Sequence, residues 1–144
     1  MTILPITLTI AAAAALINLW LGFRVSRVRT SAGVLTGDGG DPLLRARMRA
    51  HANYAEYTPF FLILLGLIEL ARGTHLWLWG VAILYVIGRI LHAFGMDSLN
   101  KPGRTRVIGI LVTWIVLIVL AGYALYIGYG ATPRPETVPM SATA

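Results

Sequence analysis

The chain contains no cysteine. That excludes a disulfide framework and a thiolate metal site, and any thiol chemistry must use a thiol brought by a substrate. Charge is scarce too: Asp, Glu, Lys and Arg make up 12% of the 144 residues, about half the share of a soluble domain. Only six residues are acidic, against twelve Lys and Arg, for a net charge of +6. This excess does not point to nucleic acid. The basic residues sit beside hydrophobic runs, where they read as topology signals and as contacts to anionic lipid or ligand. There is no internal repeat. A metal site is not expected: His51 and Glu56 are five apart, on different faces of a helix.

What remains is apolar. Hydrophobic residues make up 57% of the chain, and its mean hydropathy is +0.73. A membrane span needs about 20 mostly apolar residues, and four segments qualify: approximately 4–23, 54–70, 76–94 and 107–129. The expected fold is all-α, an integral membrane four-helix bundle of up-down topology over residues 1–131. A flexible Pro/Ser/Thr-rich tail over 132–144 follows. No charge precedes Arg24, unlike the basic start of a cleavable signal peptide, so the first run reads as a retained helix.

"TGDGGDP" in the first loop is turn chemistry. The tight 71–75 link makes helices two and three an antiparallel hairpin. Pro59 removes a backbone hydrogen bond inside helix two and is expected to kink it. Trp20 and Trp77 fall near span boundaries, as an aromatic belt requires. Nine basic residues (Arg24, Arg27, Arg29, Arg45, Arg47, Arg49, Lys101, Arg104 and Arg106) flank one side of the spans, against Arg72 and Arg134 on the other. By the positive-inside rule the long loops face the cytoplasm. Both termini then face outward, to the periplasm in a bacterium.

Arg45, Arg49, Asn53 and Glu56 are spaced by 4, 4 and 3 residues, which places them on one helical stripe. Arg89 and His92 share a face of helix three. Glu56 lies roughly 10 Å above Arg49, and Arg89 roughly 12 Å above Asp97, so carboxylate and guanidinium occupy one level of the cytoplasmic half. Ionisable groups at such depth cost about 2.5–3.5 kcal/mol on insertion scales and must turn inward, to each other or to a ligand. The pattern suits a small, polar, zwitterionic guest with net negative charge. Arginines would take its carboxylates, Glu56 an ammonium, and Asn53 a peptide-like amide, as donor and acceptor. The plain reading of each piece differs: basic loop residues as topology determinants, Glu56 with Arg89 as an interhelical ion pair, and His92 as a hydrogen-bonded core histidine. His51 reads as an interfacial residue, and Glu69 and His75 as surface residues at the far end.

"RAHANYAEYTPFF", with Arg49, Asn53, Glu56 and Pro59, resembles the signature of the MAPEG family, the membrane-associated proteins of eicosanoid and glutathione metabolism. "GRILHAFG", with Arg89 and His92, resembles that family's second marker, and "GDGGDPLLRARMRAHAN" looks like its bacterial branch. The resemblance covers the whole chain. It implies a homotrimer in a bacterial inner membrane, with glutathione as co-substrate in clefts between subunits, open to the cytoplasm. It matches Arg49, Asn53, Glu56 and Tyr57 to glutathione contacts on helix two, and Arg89 and His92 to contacts on helix three. An arginine at the start of helix four would poise the thiol, Arg104 first and Arg106 second. Met96 stands where several members carry a tyrosine.

The expected activity is a glutathione-dependent transferase or peroxidase acting on lipophilic electrophiles that arrive from the bilayer. His92 would position a group or donate a proton. The partners would be further copies of the chain, lipid and the lipophilic substrate. Two other classes stand beside this reading: a non-catalytic membrane protein of the same fold, and a small proton-coupled exporter using Glu56. Against the exporter, the first span carries no charge, and Asn18 is its only strongly polar residue.

Overall fold

A computed structural model describes residues 3–101 and 103–131. The expected tail over 132–144 lies outside the described residues. Four helices follow one another: α1 (Pro5–Ser31), α2 (Pro42–Arg72), α3 (Leu76–Gly95) and α4 (Arg104–Gly130). Each is long and apolar enough to cross a bilayer. The protein is an all-α integral membrane four-helix bundle.

Local chemistry sets the helix ends. Asp41 caps α2, its Oδ1 accepting from the amides of Leu43 at 2.8 Å and Leu44 at 2.9 Å, with Pro42 in the first turn, where a missing N–H is harmless. Gly73, at φ +81°, ends α2 and donates to the Glu69 carbonyl. The helix continues through Pro59 without interruption.

Two helices are longer than their apolar runs. α1 extends to Ser31 rather than residue 23, and α2 begins at Pro42 rather than residue 54. Hydropathy marks where a helix leaves hydrocarbon, not where its backbone hydrogen bonds stop. The arginine-rich segments stay helical because they pack on each other and because Asp41 supplies a cap.

Paired residues show neighbouring helices to be antiparallel: Ala14 with Tyr54 and Ile6 with Glu69 on α1 and α2, Thr58 with Tyr85 and Asn53 with Arg89 on α2 and α3, and Gly88 with Gly109 and Gly95 with Arg106 on α3 and α4. Contacts join every pair except α1 with α4, and α3 with α4 is the most extensive. The core lies between α2 and α3, where the Phe61 and Tyr85 rings stack at 3.7 Å. Ile6, Leu65, Leu78 and Leu120 close around them. Leucine, isoleucine and phenylalanine are also common on the outer surface, the composition a lipid-facing bundle requires.

Glycines allow α3 and α4 to touch backbone to backbone. A β-carbon on Gly109 would stand 2.5 Å from the Gly88 carbonyl oxygen and 2.7 Å from the His92 nitrogen. With lipid outside as apolar as the core, such close packing drives association between spans.

Glu69 is a correction. Read as a surface residue, it is 1% exposed. Its carboxylate accepts from the backbone amides of Ile6 at 3.0 Å and Thr7 at 2.8 Å, and from the hydroxyls of Thr7 at 2.7 Å and Thr74 at 2.9 Å. It caps α1 from another helix: amides that α1 leaves unpaired in its first turn, at the positive end of its dipole, meet a carboxylate. His75 is exposed as expected and donates from Nε2 to the Arg72 carbonyl at 2.8 Å.

Candidate functional site

The polar residues of α2 divide between the inside and the outside of the bundle. Arg49 and Glu56 are exposed, and Asn53 and Tyr57 are half-buried. Arg89, on α3, is 1% exposed. Its Nη2 donates to Asn53 Oδ1 at 2.9 Å and its Nη1 to Thr113 Oγ1 at 3.2 Å. The guanidinium lies 5.6 Å from the Tyr54 ring centre and 5.9 Å from that of Tyr57, within reach of cation–π attraction. Arg89 Nε has no hydrogen-bond partner among the described residues.

Level and direction therefore separate. Arg89 bonds Asn53, one turn from Glu56, so the two ionisable groups share a height in the membrane. They do not share a crevice within one chain: Arg89 is enclosed between α2, α3 and α4, while Glu56 faces outward. Among the described residues Glu56 forms no ion pair, so the plain reading of Glu56 with Arg89 as an interhelical ion pair gives way to an Asn53–Arg89 hydrogen bond. Sequence spacing placed each residue on a face of its own helix but could not say which face meets the neighbouring helix.

His92 is buried, and its Nδ1 lies 3.1 Å from the Arg106 carbonyl oxygen. A carbonyl can only accept, so Nδ1 carries the proton and Nε2 does not need one. This bond fixes the first turn of α4, where the Arg104 and Arg106 side chains are exposed. Neither forms an ion pair among the described residues. Tyr57 and Trp114 meet at the rim, the indole Nε1 donating to the Tyr57 hydroxyl at 3.2 Å.

Sequence reasoning missed a charge cluster at the end of the bundle where α3 terminates. Asp97, just past α3, pairs with Arg24 of α1, and its two oxygens lie 3.4 Å from Arg47 Nε and Nη2 of α2. Arg47 also donates to the Arg24 carbonyl at 3.2 Å, and the Arg24 guanidinium lies 4.9 Å from the Trp20 ring centre. Arg24 and Arg47, expected from the sequence to mark topology, are thus interhelical ties. His51 is half-buried, its Nε2 lying 2.9 Å from Oδ1 of Asn18, the lone strongly polar side chain of the first span. Grooves of about 630 and 340 Å³ open nearby, the first beside Ser26, Arg27 and Arg47, the second beside Met48, His51 and Ala55. Among the described residues no three His, Asp or Glu side chains gather as a metal site would need.

Comparison with known proteins decides the class. The MAPEG family model matches residues 7–126. The chain belongs to the MAPEG family. That match spans all four helices, from the Glu69-capped start of α1 to the last turns of α4. No curated protein matches the chain. Family membership makes this an integral membrane protein of the glutathione and eicosanoid metabolism family.

Proposed function

We propose that the protein is a glutathione-dependent membrane transferase or peroxidase for lipophilic electrophiles. One observation carries this reading. In a MAPEG chain, a membrane-spanning helix presents Arg49 and Glu56 outward beside the half-buried Asn53 and Tyr57, and Glu56 forms no ion pair among the described residues. A lone carboxylate facing hydrocarbon is unfavourable. A second copy of the chain, with a polar guest between the copies, would relieve it. The reading is a homotrimer with glutathione in the clefts, open to the cytoplasm, in a bacterial inner membrane with both termini periplasmic.

Arg49 takes a carboxylate, Glu56 the ammonium, and Asn53 and Tyr57 polar atoms along the guest. Arg104 stands at the positive end of the α4 dipole. A simple thiol has a pKa near 8.5 and is mostly protonated at neutral pH, so a guanidinium and a helix N-terminus beside the sulfur favour the thiolate. The thiol proton leaves to water and the thiolate attacks the apolar electrophile. With a chlorodinitrobenzene probe, a carbon–sulfur bond forms, the carbon–chlorine bond breaks and chloride departs. No protein nucleophile is required, in keeping with the missing cysteine. Arg106 is the second candidate for this role, and His92 holds the turn that presents both.

The test is turnover by the purified protein. It should be stabilised thermally by glutathione and should conjugate the probe. Arg104→Ala should lower kcat by about tenfold or more while glutathione affinity changes less. Unchanged thermal stability on adding glutathione, with no turnover, would instead mark a non-catalytic protein of the MAPEG fold.

A further inference from the structure

Arg49, Asn53 and Tyr57 lie at four-residue intervals on α2 and rise on one stripe. What the last two can offer a guest is decided by the residues behind them. A guanidinium has donors only, so the 2.9 Å bond from Arg89 Nη2 fixes Asn53 Oδ1 toward the bundle interior. The Asn53 amide N–H2 then points away from Arg89, and it has no partner among the described residues. An indole has one donor and no acceptor, so the 3.2 Å contact from Trp114 makes the Tyr57 oxygen the acceptor and leaves the phenolic proton to give. Arg49 can only donate.

We propose that Arg89 and Trp114 are positioning residues that commit Asn53 and Tyr57 to donating. The 49–53–57 stripe is then a run of donors that reads carboxylate and carbonyl oxygens of an extended anionic guest. This rests on the glutathione reading and deepens it, and it revises two expectations. Arg89 acts from behind Asn53 rather than on the guest, and Asn53 offers no acceptor. The stripe rises about 12 Å from Arg49 to Tyr57, close to the roughly 10 Å of an extended tripeptide. Glu56, beside it, is the acceptor for an ammonium. A guest with several oxygens along its length and one amine satisfies the whole face, whereas an amine-rich or fully apolar guest leaves the donors unmet. Arg89 is well held for this role, being buried, tied also to Thr113, and placed under the Tyr57 ring.

Side-chain amides give a direct readout. The chain has three asparagines, Asn18, Asn53 and Asn100, and no glutamine. Isotope-labelled asparagine in the full chain, held in lipid nanodiscs, therefore gives three amide signals, and Asn53→Asp identifies one. Arg89→Met should shift and broaden the Asn53 signal, with partial recovery in Arg89→Lys, and glutathione should shift the same signal in the parent protein. Arg89→Met should raise KM for glutathione about tenfold, the equivalent of one hydrogen bond. The change in kcat should stay within about twofold, and the effect should vanish in an Asn53→Ala background. Trp114→Phe should raise KM about threefold and add nothing to Tyr57→Phe. An Asn53 signal indifferent to Arg89→Met, or effects that simply add, overturns the proposal. A signal that answers to Arg89 but not to glutathione upholds the positioning and removes glutathione as the guest.

Discussion

A β-carbon on Gly95 would stand 2.1 Å from the backbone nitrogen of Arg106. The end of α3 and the first turn of α4 thus meet main chain to main chain, and the glycine is what lets Arg104 and Arg106 emerge where they do. His92 reinforces the joint from three residues earlier through its bond to the Arg106 carbonyl.

Gly95→Ala should therefore force the two helices apart, because the clash is with backbone that cannot swing aside. We expect a loss near the upper end of the overpacking range, about 3 kcal/mol, seen as a lower Tm in detergent. Gly80→Ala, in the same helix with nothing within 4 Å, serves as the control and should stabilise by up to about 1 kcal/mol through helix propensity.

Glu69→Ala should uncap α1. It leaves the Ile6 and Thr7 amides and two hydroxyls without their acceptor, at a cost of about 3 kcal/mol. Glu69→Gln keeps one oxygen but sets an amide N–H2 against donors, so its loss should be intermediate. Hydrogen exchange at the Ile6 and Thr7 amides should quicken in both variants, while exchange in α3 should not change.

Asp97→Asn should loosen the C-terminal part of α1 and the N-terminal part of α2 together, since one carboxylate serves both Arg24 and Arg47. The cluster is only partly shielded from water, so the expected loss is about 1 kcal/mol at low salt. It should shrink as ionic strength rises. Unfolding measured across a salt series checks both the size and the trend.

Asp38 supplies a pH dependence in the first loop. The Arg45 guanidinium, and then the Gly40 amide, hold its carboxyl below the ordinary aspartate value. A depressed folded-state value means that the pairing is present above the unfolded value and is lost as pH falls through the folded one. Loop order, followed by the Gly40 amide signal, should hold at neutral pH and fade only in strong acid. Asp38→Asn should abolish that transition.

Much of this was legible in residue order. Four spans, the hairpin of α2 and α3, the Asp41 turn and the polar stripe from Arg49 to Glu56 all follow from local composition and spacing. Local signals ran out wherever a partner lay far along the chain. Glu69 looked like a surface residue because the amides it caps belong to α1, sixty-two and sixty-three positions earlier. Asp97 looked like a loop residue because its arginines sit on two other helices. Trp114 carried no signal at all until Tyr57 was found beside it.

The amino-acid order by itself determined that this is a membrane bundle of four helices with a polar stripe on the second, because spans and stripes depend on residues a few positions apart. Which way each polar group faces was decided by the fold alone. In a bilayer the outside is as apolar as the core, and hydrophobic residues line both sides of α1 and α4, so polarity does not mark the buried face. Only the packing of α3 against α2 and α4 encloses Arg89 and leaves Glu56 outside.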